Sequence, residues 1–435
     1  MQRIYLDANA TTPLLPEVFD AMRPFWIEHF GNASSVHQQG RHARAAVERA
    51  RESVARLLHC IPSEVVFTSG GTESDNLALF GVLNHATNAP LHLITSAIEH
   101  DAILHAAQSI AKLGVHGTPV EVTFLPCNPQ GIIEPASLVA AIRPNTTLVS
   151  IMHSNNETGV IQPLAELAAI AHASGALFHT DAVQAAGKLP LDLSPAGELK
   201  DVDLLSISGH KMYAPQGTGV LFVRRSVRLA PLFHGGSHER QRRAGTENVA
   251  GIVALGKAAE LANNWLTAEP ATNPGAPSFA PLAKDGVSGE SPTALPSGGP
   301  PPNPTALAAL RDHLEQTLLR EIPESGVNGA NSPRVCNTSS LYFDHLEAEA
   351  LVIALDLKGV SVSGGSACQS GASEPSHVLT AMGLPPARAR ATIRISLSRL
   401  TTETEIDTAL TLIPTAVARL RELSPAWKKP TLANV

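Results

Sequence analysis

The chain has 435 residues, of which 43% are hydrophobic, and a formal net charge of -7 at pH 7. This length predicts a globular protein with more than one structural unit, and the negative charge does not favour binding to nucleic acid. No apolar stretch approaches the roughly 20 residues that span a bilayer, so we expect a cytoplasmic protein without a membrane partner. The four cysteines form no C-x-x-C pair, which disfavours a zinc site or a disulfide framework.

Short apolar runs alternate with segments of helical periodicity along much of the chain. Amphipathic or buried helices are predicted over 40–58 and 248–266, because apolar residues recur there at helical spacing. The predicted buried strands lie in EVVFTSGG, LHLITSAIEH, TTLVSIMHSNNE, GALFHTDAV, VDLLSISGH and TGVLFVRR. This alternation predicts an α/β fold with a largely parallel sheet covered on both faces, and catalytic groups at the strand ends.

Composition changes abruptly after the second of these helices. The stretch from Trp265 to Pro304 contains ten of the 33 prolines. We therefore expect a disordered surface insert over 267–304. Regular structure should resume with TALAALRDHLEQTLLREI and continue into a smaller C-terminal domain.

The segment FTSGGTESDNLAL has the outline of a phosphate site. A strand that ends at Ser69 and turns through two glycines into a helix near Thr72 offers free backbone N–H groups to an anion. An ordinary strand-to-helix turn with Thr72 as the N-cap explains this segment equally well when it is taken alone.

Two further strand ends carry candidate catalytic groups. Asp181 ends a predicted strand, where a buried carboxylate could pair with a protonated heteroaromatic nitrogen or simply cap the next helix. Ser208, His210 and Lys211 follow another strand. A lysine close to a phosphate site and a buried carboxylate is where pyridoxal phosphate would be held covalently, although a single lysine could also be a solvated surface charge.

The chain resembles the cysteine desulfurases of the NifS/IscS type. The resemblance runs from YLDANATT to LSPAW and fails only in the proline-rich insert. The motifs that carry it, in family order, are FTSGGTESDNLA, IEHDAIL, NNETGVIQP, FHTDAVQAAGK, SGHKMYAPQGTG, RRAGTEN, GGSACQSGASEPSHVL and ATIRISLSRLTTETEID. Several motifs in one order are far more specific than any single motif.

The resemblance implies pyridoxal-phosphate fold type I, with a large domain built on a mainly parallel seven-stranded sheet and a smaller α+β domain. The large, cofactor-binding domain should span 14–261. The small domain should combine 1–13 with 262–435, and it should include a mobile cysteine loop at 361–374.

The resemblance also implies a set of site residues. Lys211, Cys368 and His100 are the implied catalytic residues: Lys211 holds the cofactor and moves protons, and His100 stacks on the cofactor ring. Arg394 is implied to bind the substrate carboxylate. The implied cofactor ligands are Gly71, Thr72, His100, Asn156, Asp181, Gln184, Ser208, His210, Lys211 and, from the second subunit of a homodimer, Thr246.

Cys368 lies among small residues, with Gly364, Gly365 and Gly371 nearby. In the family mechanism this thiolate takes sulfur from L-cysteine, releases L-alanine, and carries the sulfur as a persulfide to an acceptor protein. Glycines lower the steric cost of moving such a loop. We expect Cys60, Cys127 and Cys336 to have only a structural role, as small buried apolar side chains.

Alternatives to this function remain open at this point. A catalytically idle scaffold would keep the fold without the chemistry, and a selenocysteine lyase or an aminotransferase could share the fold. The motifs do not separate a housekeeping role in iron–sulfur cluster assembly from one in nitrogen fixation, nor do they identify the sulfur acceptor or an iron–sulfur scaffold partner. The family also suggests transient iron–sulfur binding at Cys368, without a permanent metal site.

Overall fold

The computed structural model describes residues 3–86, 90–268, 303–365, 375–424 and 427. In these ranges the strands are β1 (Ile4–Tyr5), β2 (Val65–Thr68), β3 (Leu91–Ser96), β4 (Val120–Leu125), β5 (Thr146–Ser150), β6 (Leu177–Asp181), β7 (Leu204–Ser208), β8 (Gly219–Val223), β9 (Ser325–Val327), β10 (Thr338–Phe343), β11 (Val360–Ser361), β12 (Ser363–Gly364) and β13 (Thr392–Ser396). The α-helices are α1 (Pro16–Met22), α2 (Pro24–Ile27), α3 (Gln38–Leu57), α4 (Gly71–His85), α5 (Asp101–Leu113), α6 (Pro135–Ala141), α7 (Leu164–Ala173), α8 (Val249–Thr267), α9 (Pro304–Glu321), α10 (Ala348–Asp356), α11 (His377–Ala381), α12 (Pro386–Arg390) and α13 (Glu403–Leu423).

A seven-stranded sheet is the centre of the larger part of the molecule. Its strand order is β2-β8-β7-β6-β5-β3-β4. All neighbours pair in parallel except β8, which is antiparallel to both β2 and β7. The predicted α/β fold with a mainly parallel seven-stranded sheet is confirmed.

The sequence analysis did not predict β4. This strand lies at the edge of the sheet and is buried mainly at its two ends, Val120 and Leu125. Strands β2, β3, β7 and β8 are buried along their whole length and are rich in apolar residues, which is the pattern that the sequence analysis selected. An edge strand with partly exposed residues lacks that signal.

Helices α3 and α8 pack closely against each other. The predicted apolar face of α3 is buried. A Cβ placed on Gly256 of α8 would lie 2.5 Å from the Cα of Ala50 in α3, so the helices can approach this closely only because residue 256 is glycine.

A second, antiparallel sheet has the order β12-β13-β10-β9, and β1 pairs in parallel with β11 beside it. Helices α9, α10 and α13 pack around this region over a buried apolar cluster of its own. Helix α8 connects the two parts, because Ala262 belongs to the core of the larger sheet and Trp265 to this second cluster. The predicted domain boundaries at 14 and 261 stay predictions.

Two predicted segments lie largely outside the described residues. The proline-rich insert is described only at its edges, where α8 ends at Thr267 and α9 begins at Pro304. The predicted cysteine loop is described at 361–365, where β11 and β12 form, but Cys368 is not among the described residues. No helix in the described ranges is both long and apolar enough to cross a membrane.

Candidate active site

Side chains from both sheets line one cavity of about 350 Å³. The segments that follow the carboxyl ends of β2, β3, β5, β6 and β7 form one side, as expected for a ligand site on a parallel sheet. Strand β13 and the segment after β1 form the other side. The lining residues are Asn9, Ala10, Gly71, Thr72, Asp75, His100, Met152, Ser154, Asn156, Asp181, Val183, Gln184, Ser208, His210, Lys211 and Arg394.

Most of the predicted site residues therefore lie together, although they are spread widely along the sequence. Thr246 does not line this cavity, and Cys368 lies outside the described residues. The predicted residues that line the cavity are Gly71, Thr72, His100, Asn156, Asp181, Gln184, Ser208, His210, Lys211 and Arg394. Their individual roles remain predictions.

Gly71 forms a close backbone approach at the start of α4. A Cβ at this position would lie 2.9 Å from Cγ2 of Val183 and 3.5 Å from Cβ of Ser208. Gly71 and Thr72 are the first two residues of the 15-residue helix α4 and line the cavity, so the positive end of the helix dipole lies at this wall. This arrangement suits a phosphate group.

Lys211 ends a 3₁₀ turn, Gly209–Lys211, directly after β7. Its Nζ donates hydrogen bonds to the backbone carbonyls of Asn9, at 2.6 Å, and Ala10, at 2.7 Å. The preceding His210 lies 3.1 Å from the Thr11 hydroxyl through Nδ1, and burial lowers its pKa to about 4. The amine is thus fixed at the cavity wall beside an uncharged imidazole.

Asp181, at the end of β6, is 5% exposed. Its Oδ1 accepts the backbone N–H of Val183 at 2.8 Å. Burial raises the pKa of Asp181, whereas the charges of His100 and Lys211 favour its ionised form. A cationic ring nitrogen bound in the cavity would therefore stabilise this carboxylate.

Asp75 is a second buried carboxyl group in the wall, and the sequence analysis did not select it. Its pKa is raised well above the usual range, first by burial and then by the charge of Asp181. Behind both carboxyl groups, His179 bonds to the hydroxyls of Ser150 and Ser206, and burial lowers the pKa of His179 to about 3. The sequence does contain a signal for Asp75, because it is an acidic residue on a mainly apolar face of α4.

Two further predicted residues that line the cavity are held in defined orientations. His100 is the N-cap of α5, and its Nδ1 accepts the N–H of Ala102 at 3.1 Å. Arg394 is 2% exposed, and its Nη2 lies 2.8 Å from Oδ1 of Asp7. Its Nη1 donates to the carbonyl of Asn156 at 3.1 Å.

Several buried polar atoms of the lining residues have no hydrogen-bond partner within the described part of the chain. They are Oγ of Ser154, Oδ1 of Asn156 and Nε of Arg394. Buried polar groups normally have partners, so these atoms indicate a polar ligand. A primary amine, a buried carboxylate, a helix N-terminus and a glycine that allows close approach together fit pyridoxal phosphate and a small amino acid.

Thr246 lies elsewhere on the same chain. It lines a cavity of about 110 Å³ together with Thr68, Ser69 and Arg243. Its predicted contact with a phosphate across a subunit interface stays a prediction.

The cysteines that the structure describes are poor nucleophiles. Burial raises the pKa of the Cys60 thiol to about 12, and it also raises the pKa of Cys127 and of Cys336. These thiols are protonated at neutral pH, whereas sulfur chemistry requires a thiolate. This agrees with the structural role expected for them.

The fold and the cavity are those of an enzyme family that binds pyridoxal phosphate. The chain belongs to the class-V aminotransferase family, whose model matches residues 4–273 and 305–409. The family and cofactor predictions are confirmed.

The relatives are cysteine desulfurases. The chain is 40% identical over 430 residues to cysteine desulfurase IscS from Dictyoglomus turgidum, which covers 98% of both proteins. Among solved structures, a NifS-like protein is 32% identical with a TM-score of 0.80, covering 96% of this chain and 100% of that one. SspA in complex with cysteine is 33% identical with a TM-score of 0.71, covering 91% of this chain and 98% of SspA.

Proposed function

We propose that this chain is a pyridoxal-phosphate-dependent cysteine desulfurase. It converts L-cysteine to L-alanine and transfers the sulfur to Cys368. The observation that carries the proposal is that Lys211, Asp181 and Arg394 line one cavity although they come from different strands and from both sheets. The family assignment and the cysteine-bound structural neighbour support the substrate.

When bound, pyridoxal phosphate supplies an electron sink for bonds at the α-carbon of the substrate. Asp181 keeps the ring nitrogen protonated, because a buried carboxylate and a cation stabilise each other. Gly71, Thr72, Ser208 and His210 hold the phosphate.

The substrate is oriented at the opposite wall. Arg394 binds its carboxylate, for which a planar guanidinium with an unpartnered Nε is suited. The Lys211 amine would hold the cofactor covalently, and once released it would serve as the group that moves a proton to and from the substrate. His100, Asn156 and Gln184 contact the cofactor ring and its hydroxyl.

The sulfur step is a transfer between two thiols. The Cys368 thiolate attacks the substrate sulfur, the carbon–sulfur bond breaks, and the carbon receives a proton, so the products are alanine and a persulfide on Cys368. The protonated thiols of Cys60, Cys127 and Cys336 are poor competitors for this role.

The persulfide is passed to a sulfur-acceptor or iron–sulfur scaffold protein, for cluster assembly or other sulfur-containing products. We place this enzyme in the cytoplasm as a homodimer, in which Thr246 reaches the phosphate bound by the second subunit. An iron–sulfur cluster binds at Cys368 only transiently, during transfer. The iron–sulfur role is supported by a relative that carries the name IscS.

The test is to incubate the purified, cofactor-loaded protein with L-cysteine and a reductant and to quantify alanine and sulfide together. We expect equal amounts. Lys211→Ala should abolish both products, and Cys368→Ser should bind the cofactor but form no persulfide. Cys127→Ser is the matched control and should retain activity. Loaded wild-type protein that releases no alanine would contradict the proposal, and persulfide formation in Cys368→Ser would assign the sulfur to another cysteine.

A further inference from the structure

Lys188 is a buried lysine behind the cavity wall, and the chemistry described above does not use it. It is 8% exposed and lies four residues after Gln184. Its Nζ donates to Oε1 of Gln184 at 2.7 Å and to Oδ1 of Asn9 at 3.2 Å. Both acceptors line the cavity, but Lys188 does not.

The contact with Lys188 fixes which way the Gln184 amide faces. A lysine ammonium donates hydrogen bonds and accepts none, so the amide oxygen faces Lys188. The amide nitrogen faces the other way and donates to the carbonyl of Asn9 at 3.0 Å. An amide nitrogen carries two N–H groups, and Gln184 lines the cavity, so the second N–H is available to an acceptor there.

Asn9 is fixed in the same manner. Its Oδ1 accepts from Lys188 and, at 3.1 Å, from Nδ2 of Asn337. Its own Nδ2 therefore faces away from Lys188 and donates to the hydroxyl of Thr338 at 2.8 Å and to the carbonyl of Asn156, a cavity-lining residue, at 3.1 Å. The backbone carbonyl of Asn9 accepts from Lys211. One buried amine thus orients two residues that contact the predicted ligand-binding groups.

Lys188 can donate both hydrogen bonds in either charge state, and in the neutral state, in which its nitrogen can also accept, the Asn9 carbonyl still requires an N–H of Gln184 on its side. Burial is the main cause that lowers its pKa to about 7; Cys336 opposes this, whereas Lys211, Arg394 and Arg399 act in the same direction as burial. A neutral amine still has two N–H groups, which match the two acceptors within hydrogen-bond distance.

We infer that Lys188 is a positioning residue for the cofactor: it holds the Gln184 amide with an N–H group toward the cavity, where that group donates to the ring oxygen of pyridoxal phosphate. This inference rests on the proposed function. Lys188 itself does not touch the cofactor, so its effect must pass through Gln184.

The test follows the visible absorption band of the cofactor in the holoenzyme as a function of pH. The N–H of Gln184 stabilises the anionic form of the cofactor ring oxygen. Lys188→Met should weaken this hydrogen bond, and the midpoint pH of the change in the cofactor band should therefore rise by about one pH unit. The dissociation constant for pyridoxal phosphate should rise about tenfold. Gln184→Met should also raise the midpoint. The double variant Lys188→Met/Gln184→Met should have the same midpoint as Gln184→Met, and not one raised by the sum of the two single shifts.

Two further variants separate positioning from folding. Gln184→Glu keeps an oxygen for Lys188 but removes the N–H, so it should raise the midpoint even if Lys188→Met does not fold. Lys257→Met, on the partly exposed side of α8, should leave the midpoint unchanged. An unchanged midpoint in folded Lys188→Met, additive shifts in the double variant, or an unchanged midpoint in Gln184→Glu would overturn the inference. Wild-type protein that neither shows the band nor releases alanine would instead overturn the proposed function.

Discussion

Replacing Arg51 with methionine should destabilise the protein by about 3–5 kcal/mol, because it removes one partner of a buried ion pair. The side chains of Arg51 and Glu239 are 2% and 3% exposed. Both terminal nitrogens of Arg51 lie 2.8 Å from an oxygen of Glu239, and Nη1 also donates to the carbonyl of Val65 at 2.8 Å. In the variant, the buried Glu239 carboxylate keeps the N–H of Phe67 but loses its counter-charge.

The size of the effect can be measured as a change in melting temperature. An unfolding entropy of about 2.1 cal/mol/K per residue gives about 0.9 kcal/mol/K for a chain of 435 residues. A loss of about 3–5 kcal/mol then lowers Tm by about 3–5 °C if the chain unfolds as one unit. Circular dichroism of the loaded protein provides the assay.

The matched control is an exposed ion pair. Arg3 and Asp356 are 64% and 53% exposed, and Nη2 of Arg3 lies 3.0 Å from Oδ1 of Asp356. Solvent screens such a pair, so Arg3→Met should lower Tm by less than about 1 °C. The double variant Arg51→Met/Glu239→Met should cost less than the sum of the two single variants, because it leaves no unpaired buried charge. A Tm of Arg51→Met equal to that of the control, or strictly additive shifts, would refute the reasoning.

Two other substitutions test the buried environment of the larger sheet. Burial raises the pKa of Glu99 from 4.5 to about 8, so between these values the folded state retains a proton that the unfolded state releases. Glu99 therefore makes the free energy of unfolding fall as the pH rises from 5 to 8, by at most about 1.4 kcal/mol per pH unit. Glu99→Gln lacks this contribution, so chaotrope unfolding should show a flatter pH profile; parallel profiles would contradict the assignment. Gly256→Ala places a Cβ 2.5 Å from the Cα of Ala50 and should lower stability by about 1–3 kcal/mol, whereas Gly364→Ala, with nothing within 4 Å, should leave Tm unchanged. An unaltered Tm in Gly256→Ala would show that α3 and α8 can separate without cost.

Sequence periodicity predicts well the long helices that bury a regular apolar face. The helix predicted over 40–58 is observed as Gln38–Leu57, and the helix predicted over 248–266 as Val249–Thr267. Strand β4 escaped prediction because an edge strand has exposed positions and needs no continuous apolar run. A local pattern therefore predicts an element where its buried positions recur regularly, and it gives little signal for a short edge strand with few buried positions.

The site was predictable where motifs follow strand ends, and less so where distant segments meet. Gly71, Asp181 and Lys211 each follow a recognisable strand, and the topology brings those strand ends together. Asn9 and Asp75 were missed. The contacts of Asn9 reach residues 147 to 387 positions away in sequence, which no local pattern encodes.

The N-terminal segment is what relates the two halves of the site to each other. The carbonyls of Asn9 and Ala10 hold the amine of Lys211, which follows a strand of the larger sheet. Two residues earlier, Asp7 holds the guanidinium of Arg394, which lies on a strand of the smaller sheet. A short turn, in which the N–H of Ala10 donates to the carbonyl of Asp7, therefore holds the Lys211 amine and the Arg394 guanidinium relative to each other, in addition to the packing of the two sheets.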